Sequence, residues 1–421
     1  MKLNRPTRFF SLLIAASALP FAAKAQQQPA AAQPQAAAQP PAPAPVAEPV
    51  PLPPPLWEVG DVQQLLAFIR EVGKEGLDPA DYDPEGLEAA LRAGDPVALS
   101  AAATDRFNRL SSDLALGHVR GKDRIDWHIK DPDLDNGRQD KLLRWALQTH
   151  QVADTLTGLL PVHPQYTYLK RALEVTPPTD TAKVNRIRLN LDRWRWLPRD
   201  LGERYIIVNV PAYTAALVEG GETISRHYAV AGKISTPTPQ LSATATGVIL
   251  NPWWEVPKSI EPEVRGKGGY VAVKDKNGKV VRWRQPPGPS NALGKIKFVM
   301  PNDKAIYLHD TNAKSRFNSR VRAFSHGCIR TKDIDKLATI LLTEGGTEWT
   351  PEKVQATIDS GKSVQAHFPK PLPVYIVYMS SAATVEGKIV DYADVYKRDG
   401  KAIAALLDTK GSPGSGRVAA R

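Results

Sequence analysis

Apolar positions recur at helical spacing once the chain passes Trp57. Val62, Leu65, Leu66 and Ile69 follow Gly60-Asp61 in the i, i+3, i+4 rhythm of a helix with one buried face, and the pattern runs out between Gly73 and Gly76. A second helix is predicted from Pro84 to Leu91, with Leu87 and Leu91 on one face and Gly94 beyond. A longer one is predicted from Pro96 to about Leu116, carrying Leu99, Phe107, Leu110 and Leu114. Asn136-Gly137 reads as a turn; two more helical pieces follow, through Leu142, Leu143 and Ala146 and then from Val152 to Leu160. Residues 57–175 thus read as a mainly α domain. A hinge at 176–181 leads to a connector helix from Ala182 to about Trp196, with Val184, Ile187, Leu191 and Trp194 inward.

The period changes at Leu201. Tyr205–Val210 alternates as a strand, Pro211-Ala212-Tyr213 turns, and Thr214–Val218, His227–Val230 and Thr246–Leu250 are further strands, the last stopped by Asn251-Pro252. Residues 253–289 form a long excursion rich in Gly, Pro and charge, with a hairpin turn at Asp275-Lys276-Asn277-Gly278. Excursions of this length are often lids or binding loops. Its aromatics, Trp253, Trp254, Tyr270 and Trp283, either line a groove or form a small core beneath it. Strands are predicted at Lys297–Met300 and Lys304–His309, a helix from about Lys332 to Leu342, a final strand at Pro373–Met379 and a hairpin-like tail from Thr384 to Tyr396, with a frayed end over 409–421. The fold class is α+β and multidomain: a helical domain and connector over 56–200, a β-dominated domain over 201–380, and a C-terminal hairpin and tail over 381–421.

The N-terminus stands apart. Lys2, Arg5 and Arg8 precede an apolar run from Phe9 to Phe21 that ends in Ala23-Lys24-Ala25, the pattern of a secretory signal peptide over 1–25, with a retained anchor as the alternative. Residues 26–55 are almost wholly Gln, Ala and Pro and read as an extended spacer. Export to a Gram-negative periplasm changes how the rest is read. The formal net charge of +11 would suit nucleic acid, anionic lipid or an anionic wall polymer. Export excludes nucleic acid as the natural partner, and no basic stripe interleaved with aromatics is present. The single cysteine, Cys328, cannot form an intramolecular disulfide, and a free thiol in an oxidising compartment is a hazard that a function would justify. An inert buried cysteine is the alternative. His118, His128, His150 and His163 have no metal-site spacing, so neither metal nor cofactor is expected.

Candidate chemistry gathers in Ile306-Tyr307-Leu308-His309-Asp310 and Ser325-His326-Gly327-Cys328-Ile329-Arg330. His309 ends a predicted strand and Cys328 precedes a predicted helix, whose N-terminus would favour a thiolate. Gly327 lets two amides, its own and that of Cys328, turn toward one developing oxyanion. A cysteine nucleophile with a histidine base is the chemistry these residue types support, and the pattern alone is not specific to it.

The same residues resemble the signature of the L,D-transpeptidase family: a histidine, a spacer, then [Ser/Thr]-His-Gly-Cys-x-[Asn/Arg], with His309 nineteen positions before Cys328. Asn190–Pro198 with Tyr205–Pro211 resembles the run that enters the catalytic domain of the large periplasmic members. Asn251–Pro257 and Asn291–Gly294 resemble their substrate-facing part, and the α domain resembles their scaffold domain. The likeness implies that Cys328 attacks the carbonyl of the third residue of a peptidoglycan stem, releases D-alanine and passes the acyl group to the side-chain amine of a second stem, making a 3→3 cross-link. It implies His309 as the base, the Asp310 carbonyl or a nearby backbone group as its orienter, His326 as a supporting residue or an alternative base, and a β-lactam of the carbapenem class as a covalent inhibitor. Candidate substrate contacts are Arg330, Ser325, Tyr307, Trp253, Trp254 and Asn291; for Arg330 a salt bridge within the domain is the alternative to a substrate carboxylate. Other partners in keeping with the family are wall-synthesis or outer-membrane proteins.

One departure from the large members is visible. They carry a small peptidoglycan-binding module between scaffold and connector, and the hinge here leaves no room for one. Other outcomes stay open on the same site: an L,D-carboxypeptidase that passes the acyl group to water, an enzyme that makes or cuts protein–peptidoglycan links, and a wall-binding scaffold with a dead site. A papain-like protease is disfavoured because its cysteine precedes its histidine.

Overall fold

The computed structural model describes residues 54–130, 133–384 and 386–408. The predicted signal peptide, most of the spacer and the end at 409–421 lie outside the described residues. The helical part contains α1 (Val59–Glu71), α2 (Pro84–Ala93), α3 (Pro96–Leu116), α4 (Asn136–Thr149), α5 (Val152–Thr157) and α6 (Pro164–Val175). Val62, Leu65, Ile69, Phe107, Leu110, Leu143 and Leu156 meet in its core. Asp83, Asp95 and Asp135 cap α2, α3 and α4, each carboxylate accepting orphan backbone N–H groups. The last cap changes a prediction. Asn136-Gly137 is the first turn of α4, not a free turn, because Asp135 accepts the Arg138 N–H at 2.8 Å. α6 was not anticipated; only Tyr166 and Leu169 of it are buried, too few to mark a periodic face.

Only residues 176–180 separate α6 from α7 (Thr181–Arg195), and no domain intervenes there. The end of α7 is buried on its polar side as well as its apolar one. Asn190, Asp192, Arg193 and Arg195 are all at most 2% exposed. Asp192 accepts the backbone N–H groups of His118 (2.6 Å) and Val119 (3.0 Å) and the indole N–H of Trp196 (2.8 Å), and lies 3.3 Å from Arg195. Arg193 pairs with Asp399 at 2.7 Å and donates to Ser380 Oγ at 3.1 Å. Arg195 donates to the Glu75 carbonyl and, at 2.9 Å, to Tyr166 Oη.

The β domain is a closed barrel. Its strands, with the outlying β1, are β1 (Trp127–His128), β2 (Arg204–Asn209), β3 (Thr214–Glu219), β4 (Glu222–Gly232) and β5 (Gln240–Leu250). After the excursion come β9 (Ile296–Val299), β10 (Leu308–His309), β11 (Ala323–Ser325), β12 (Ile329–Thr331) and β13 (Val364–Val377). The ring β5–β13–β2–β3–β4–β12–β10–β9 closes because β9 also pairs with β5. Closure leaves the ring without an exposed edge. β1, from the helical part, adds to β5 in parallel, and β11 adds to β4. β13 is twice the predicted length; Pro369 and Pro371, which disguise it, fall in a register shift between His367 and Leu372. Ile206, Val248, Phe298, Leu308, Ile329 and Ile376 fill the barrel core, against α9 (Ile334–Leu342) and α10 (Pro351–Asp359).

The excursion holds β6 (Trp254–Glu255), β7 (Val271–Lys274), β8 (Val280–Gln285) and the one-turn helix α8 (Glu261–Val264). Its strands form a separate sheet over a satellite core of Val256, Ile260 and Val264, with Trp254, Tyr270 and Trp283 against it. The C-terminal segment is a hairpin of β14 (Ser381–Ala383) and β15 (Ile389–Asp391), followed by an unanticipated helix, α11 (Asp399–Leu406), whose Ala402 and Leu406 join Leu189 and Trp196. Helical part, barrel and this segment belong to one compact unit. A shared core of Tyr166, Leu191, Trp194, Tyr205, Val218 and Tyr375 joins them. The α+β, multidomain expectation holds. No described helix is long and apolar enough to cross a membrane.

Asp192→Asn keeps the side chain's size but turns an amide N–H₂ toward N–H donors. Breaking a buried charge network of this kind is expected to cost about 3 kcal/mol, read as a lower urea midpoint; a loss under about 0.5 kcal/mol would show that the network is dispensable.

Candidate active site

Two very short strands place the candidate groups. β10 and β12 run parallel with Leu308 opposite Ile329 and His309 opposite Arg330, so Cys328 lies level with Tyr307, whose carbonyl accepts the Ile329 N–H at 3.0 Å. Leu308 and Ile329 point into the barrel and are fully buried. Side chains alternate along a strand, so Tyr307, His309, Cys328 and Arg330 all face the other way, into one cavity. On the far side of β10, β9 sets Lys297 opposite His309.

The turn before Cys328 is held from several directions. Gly327 has φ +116°, which a side chain would not tolerate. Thr238 Oγ1 donates to its carbonyl at 2.7 Å. Ser325 Oγ donates to the Cys328 carbonyl at 2.6 Å and accepts the Gly327 N–H at 3.1 Å. Gly232 packs beneath; a Cβ there would stand 2.1 Å from the Thr236 carbonyl and 3.1 Å from Gly327 Cα.

The cavity has a volume of about 350 Å³ and is lined by Trp254, Glu263, Tyr307, His309, His326, Cys328 and Arg330, among others. Burial holds His309 well below the usual imidazole range, at about 3, with the nearby Arg330 charge adding to the effect, the Asp310 backbone opposing it and Lys297 reinforcing it. Its Nδ1 is buried and makes no hydrogen bond of good geometry, although the Asp310 backbone is near enough to favour the protonated ring. Burial also pushes the Cys328 thiol up, opposed by Tyr307, Lys297 and Arg330. Lys297 Nζ sits 4.2 Å from the Tyr307 ring centroid. Arg330 has no side-chain partner among the described residues, and its Nε is buried.

Three sequence expectations need correction. Cys328 does not abut a helix: β12 intervenes and α9 begins at Ile334, so no helix terminus polarises the thiol. The Gly327 amide is turned onto Ser325 Oγ, and the Cys328 amide has no partner among the described residues. Two candidate substrate contacts do not reach the cavity. Asn291 is fully buried, its amide bonded to the Pro252 and Pro286 carbonyls and its oxygen to the Leu293 N–H, so it clamps the base of the excursion. Trp253 lies under the Arg284 guanidinium, 4.2 Å from its ring centroid. Asp310 directs its carboxylate to Lys314 and the Lys295 N–H, away from the imidazole. His326 Nε2 lies 3.0 Å from Glu263 Oε1. Sequence reasoning missed Lys297, Glu263 and Thr238, which sit far from the motif and carry no spacing signal.

Residues 203–365 match the family model for the L,D-transpeptidase catalytic domain, and 54–173 match a scaffold-domain model. The chain carries an L,D-transpeptidase catalytic domain. A Haemophilus influenzae protein provisionally named an L,D-transpeptidase is 30% identical over 290 residues, 62% of this chain and 58% of that protein, so the chain matches little more than half of that relative's length. Among solved structures, an L,D-transpeptidase from Mycobacterium smegmatis is 16% identical over 42% of this chain and 58% of its own, with a TM-score of 0.22. L,D-transpeptidase 3 from Mycobacterium tuberculosis with a faropenem-derived adduct is 13% identical over 41% and 60%, also at 0.22. The catalytic-domain assignment rests on the family model and not on these superpositions.

Within this L,D-transpeptidase domain burial favours the neutral thiol and the neutral imidazole over a thiolate–imidazolium pair in the shared cavity. Alkylation of Cys328 by iodoacetamide, followed by intact mass, should therefore keep accelerating above pH 9 with no plateau between pH 4 and 8, as for a thiol whose pKa is raised above about 8.5. A neutral plateau would show a preformed ion pair.

Proposed function

We propose that the chain is a periplasmic L,D-transpeptidase that cross-links peptidoglycan stems through a thioester on Cys328. The observation that carries this reading is the meeting of Cys328 and His309 in one cavity with the unpartnered Arg330. A half-buried guanidinium without a counter-ion favours a carboxylate ligand, and stem peptides carry carboxylates. His309, neutral at pH 7, takes the Cys328 thiol proton as sulfur adds to the carbonyl of the third stem residue. The Cys328 amide is available to the developing oxyanion. The bond to the D-alanine nitrogen breaks, and the proton on His309 goes to that leaving amine. The second stem's amine then attacks the thioester; His309 removes its proton and returns it to the departing sulfur. The products are one new amide, free D-alanine and the regenerated thiol. Tyr307 and Trp254, which line the same cavity, flank the stem, and Ser325 holds the turn that presents the sulfur.

The test is mass analysis of products from disaccharide-tetrapeptide. A dimer with released D-alanine is expected; a tripeptide alone would reassign the enzyme as a carboxypeptidase, and no turnover by folded protein would refute the reading. Carbapenem should add a single adduct on Cys328, absent from Cys328→Ala. His309→Gln is expected to slow that acylation by roughly a hundredfold or more, and His326→Gln by less than about tenfold. The opposite ranking would make His326 the base.

A further inference from the structure

The walls of the cavity are charged unevenly. Lys267, Lys304 and Arg330 line it as cations, and none has a carboxylate partner among the described residues. Glu263, on α8 of the excursion, is the one acidic side chain among the described lining residues. It is held over the nucleophile's turn by a single contact, Oε1 to His326 Nε2 at 3.0 Å, while Lys233 Nζ approaches the same nitrogen at 3.4 Å. Its Oε2 has no partner among the described residues. A carboxylate with one oxygen fixed and one open, two residues of chain from Cys328 through His326, is arranged to accept a charged N–H donor from a ligand. Its carrier stands on the satellite core of Val256, Ile260 and Val264, so α8 is held by packing as well as by His326.

From this asymmetry we infer that Glu263 and His326 form a binding subsite for an alkylammonium group, the side-chain ammonium of the acceptor diamino acid, opposite the cationic walls that face the donor's carboxylates. The inference rests on the transpeptidase reading above and adds to it the residue that selects an amine over water. The ammonium docks on Glu263 Oε2, loses one proton to solvent to become the attacking amine, and passes its second to His309 as above, so the carboxylate raises the local concentration of acceptor without taking part in bond making.

The experiment compares wild type with Glu263→Gln and Glu263→Asp in the full chain. Donor acylation is read as the carbapenem adduct rate, and acceptor use as the ratio of cross-linked dimer to hydrolysed tripeptide over a range of acceptor stem. Losing one charge-assisted hydrogen bond should raise the acceptor KM and lower the dimer-to-tripeptide ratio by roughly tenfold in Glu263→Gln, with partial recovery in Glu263→Asp and at most about threefold change in acylation. A mere lid support would slow acylation, dimer and tripeptide together and leave the ratio untouched, which would overturn the inference while sparing the transpeptidase reading. Wild-type protein that takes no adduct and makes no product would overturn both.

Discussion

The Asp192 carboxylate is the point on which the rest of the molecule hangs. It is fully buried, yet it accepts two backbone N–H groups from the loop after α3, the Trp196 indole N–H and the approach of Arg195. A carboxylate taken out of water is costly unless its oxygens are met by donors, and here they are met from two stretches of chain, 118–119 and 195–196. Arg193 and Arg195, which follow it on α7, extend the same logic to Ser380, Asp399, Glu75 and Tyr166. Apolar packing tolerates sliding; charged hydrogen bonds with fixed partners do not. The seam therefore sets the register in which helical part, barrel and C-terminal segment dock, and a short connector suffices where a longer one would let the domains drift.

From the seam the constraint passes to the chemistry through shared strands. β1, contributed by the helical part, lies on β5; β5 pairs with β9; β9 sets Lys297 against His309; and β10 lies on β12, which follows Cys328. β10 is only two residues long and β12 three, lengths that would not persist alone. Barrel closure supplies neighbours on both sides of each. The turn at Gly327 is then pinned by Thr238, Ser325 and the close approach of Gly232. A positive φ at the nucleophile's neighbour is sustained because the surroundings leave it no alternative.

The reacting pair was legible in the sequence because its residues lie in one short signature, with the lone cysteine drawing the eye and the resemblance naming its partner. Helix and strand periods located most elements for the same reason: they are local. What escaped was set by distant contacts. The polar residues of α7 look like a solvent face until Asp192 is seen to serve His118 and Val119, some seventy positions away. The strand between Cys328 and the predicted helix escaped because Ile329-Arg330-Thr331 is too short to show a period, and only pairing with β4 and β10 makes it a strand. Asn291 and Trp253 lay in a run that resembles a substrate-facing one, but their partners, the Pro252 and Pro286 carbonyls and Arg284, turn both into supports. Glu263 had no signal at all, since nothing in a Gly- and Pro-rich excursion marks which of its charges folds back over the motif.

Burial of the pair raises a question of timing that the charges themselves answer. A base held near 3 is a poor proton acceptor at neutral pH, and a thiol pushed up is a poor nucleophile. After burial itself, the Arg330 charge contributes most to suppressing His309. On the transpeptidase reading, a stem carboxylate seated on Arg330 neutralises that charge at the moment of binding, and His309 becomes a better base when there is a carbonyl to attack. Burial favours the protonated form of Cys328, and a thiol oxidises more slowly than a thiolate. On that reading the arrangement couples activation to occupancy. An enzyme with one exposed, permanently ionised cysteine would gain reactivity toward every electrophile; a site of this kind would reserve it for ligands that bring a negative charge to Arg330.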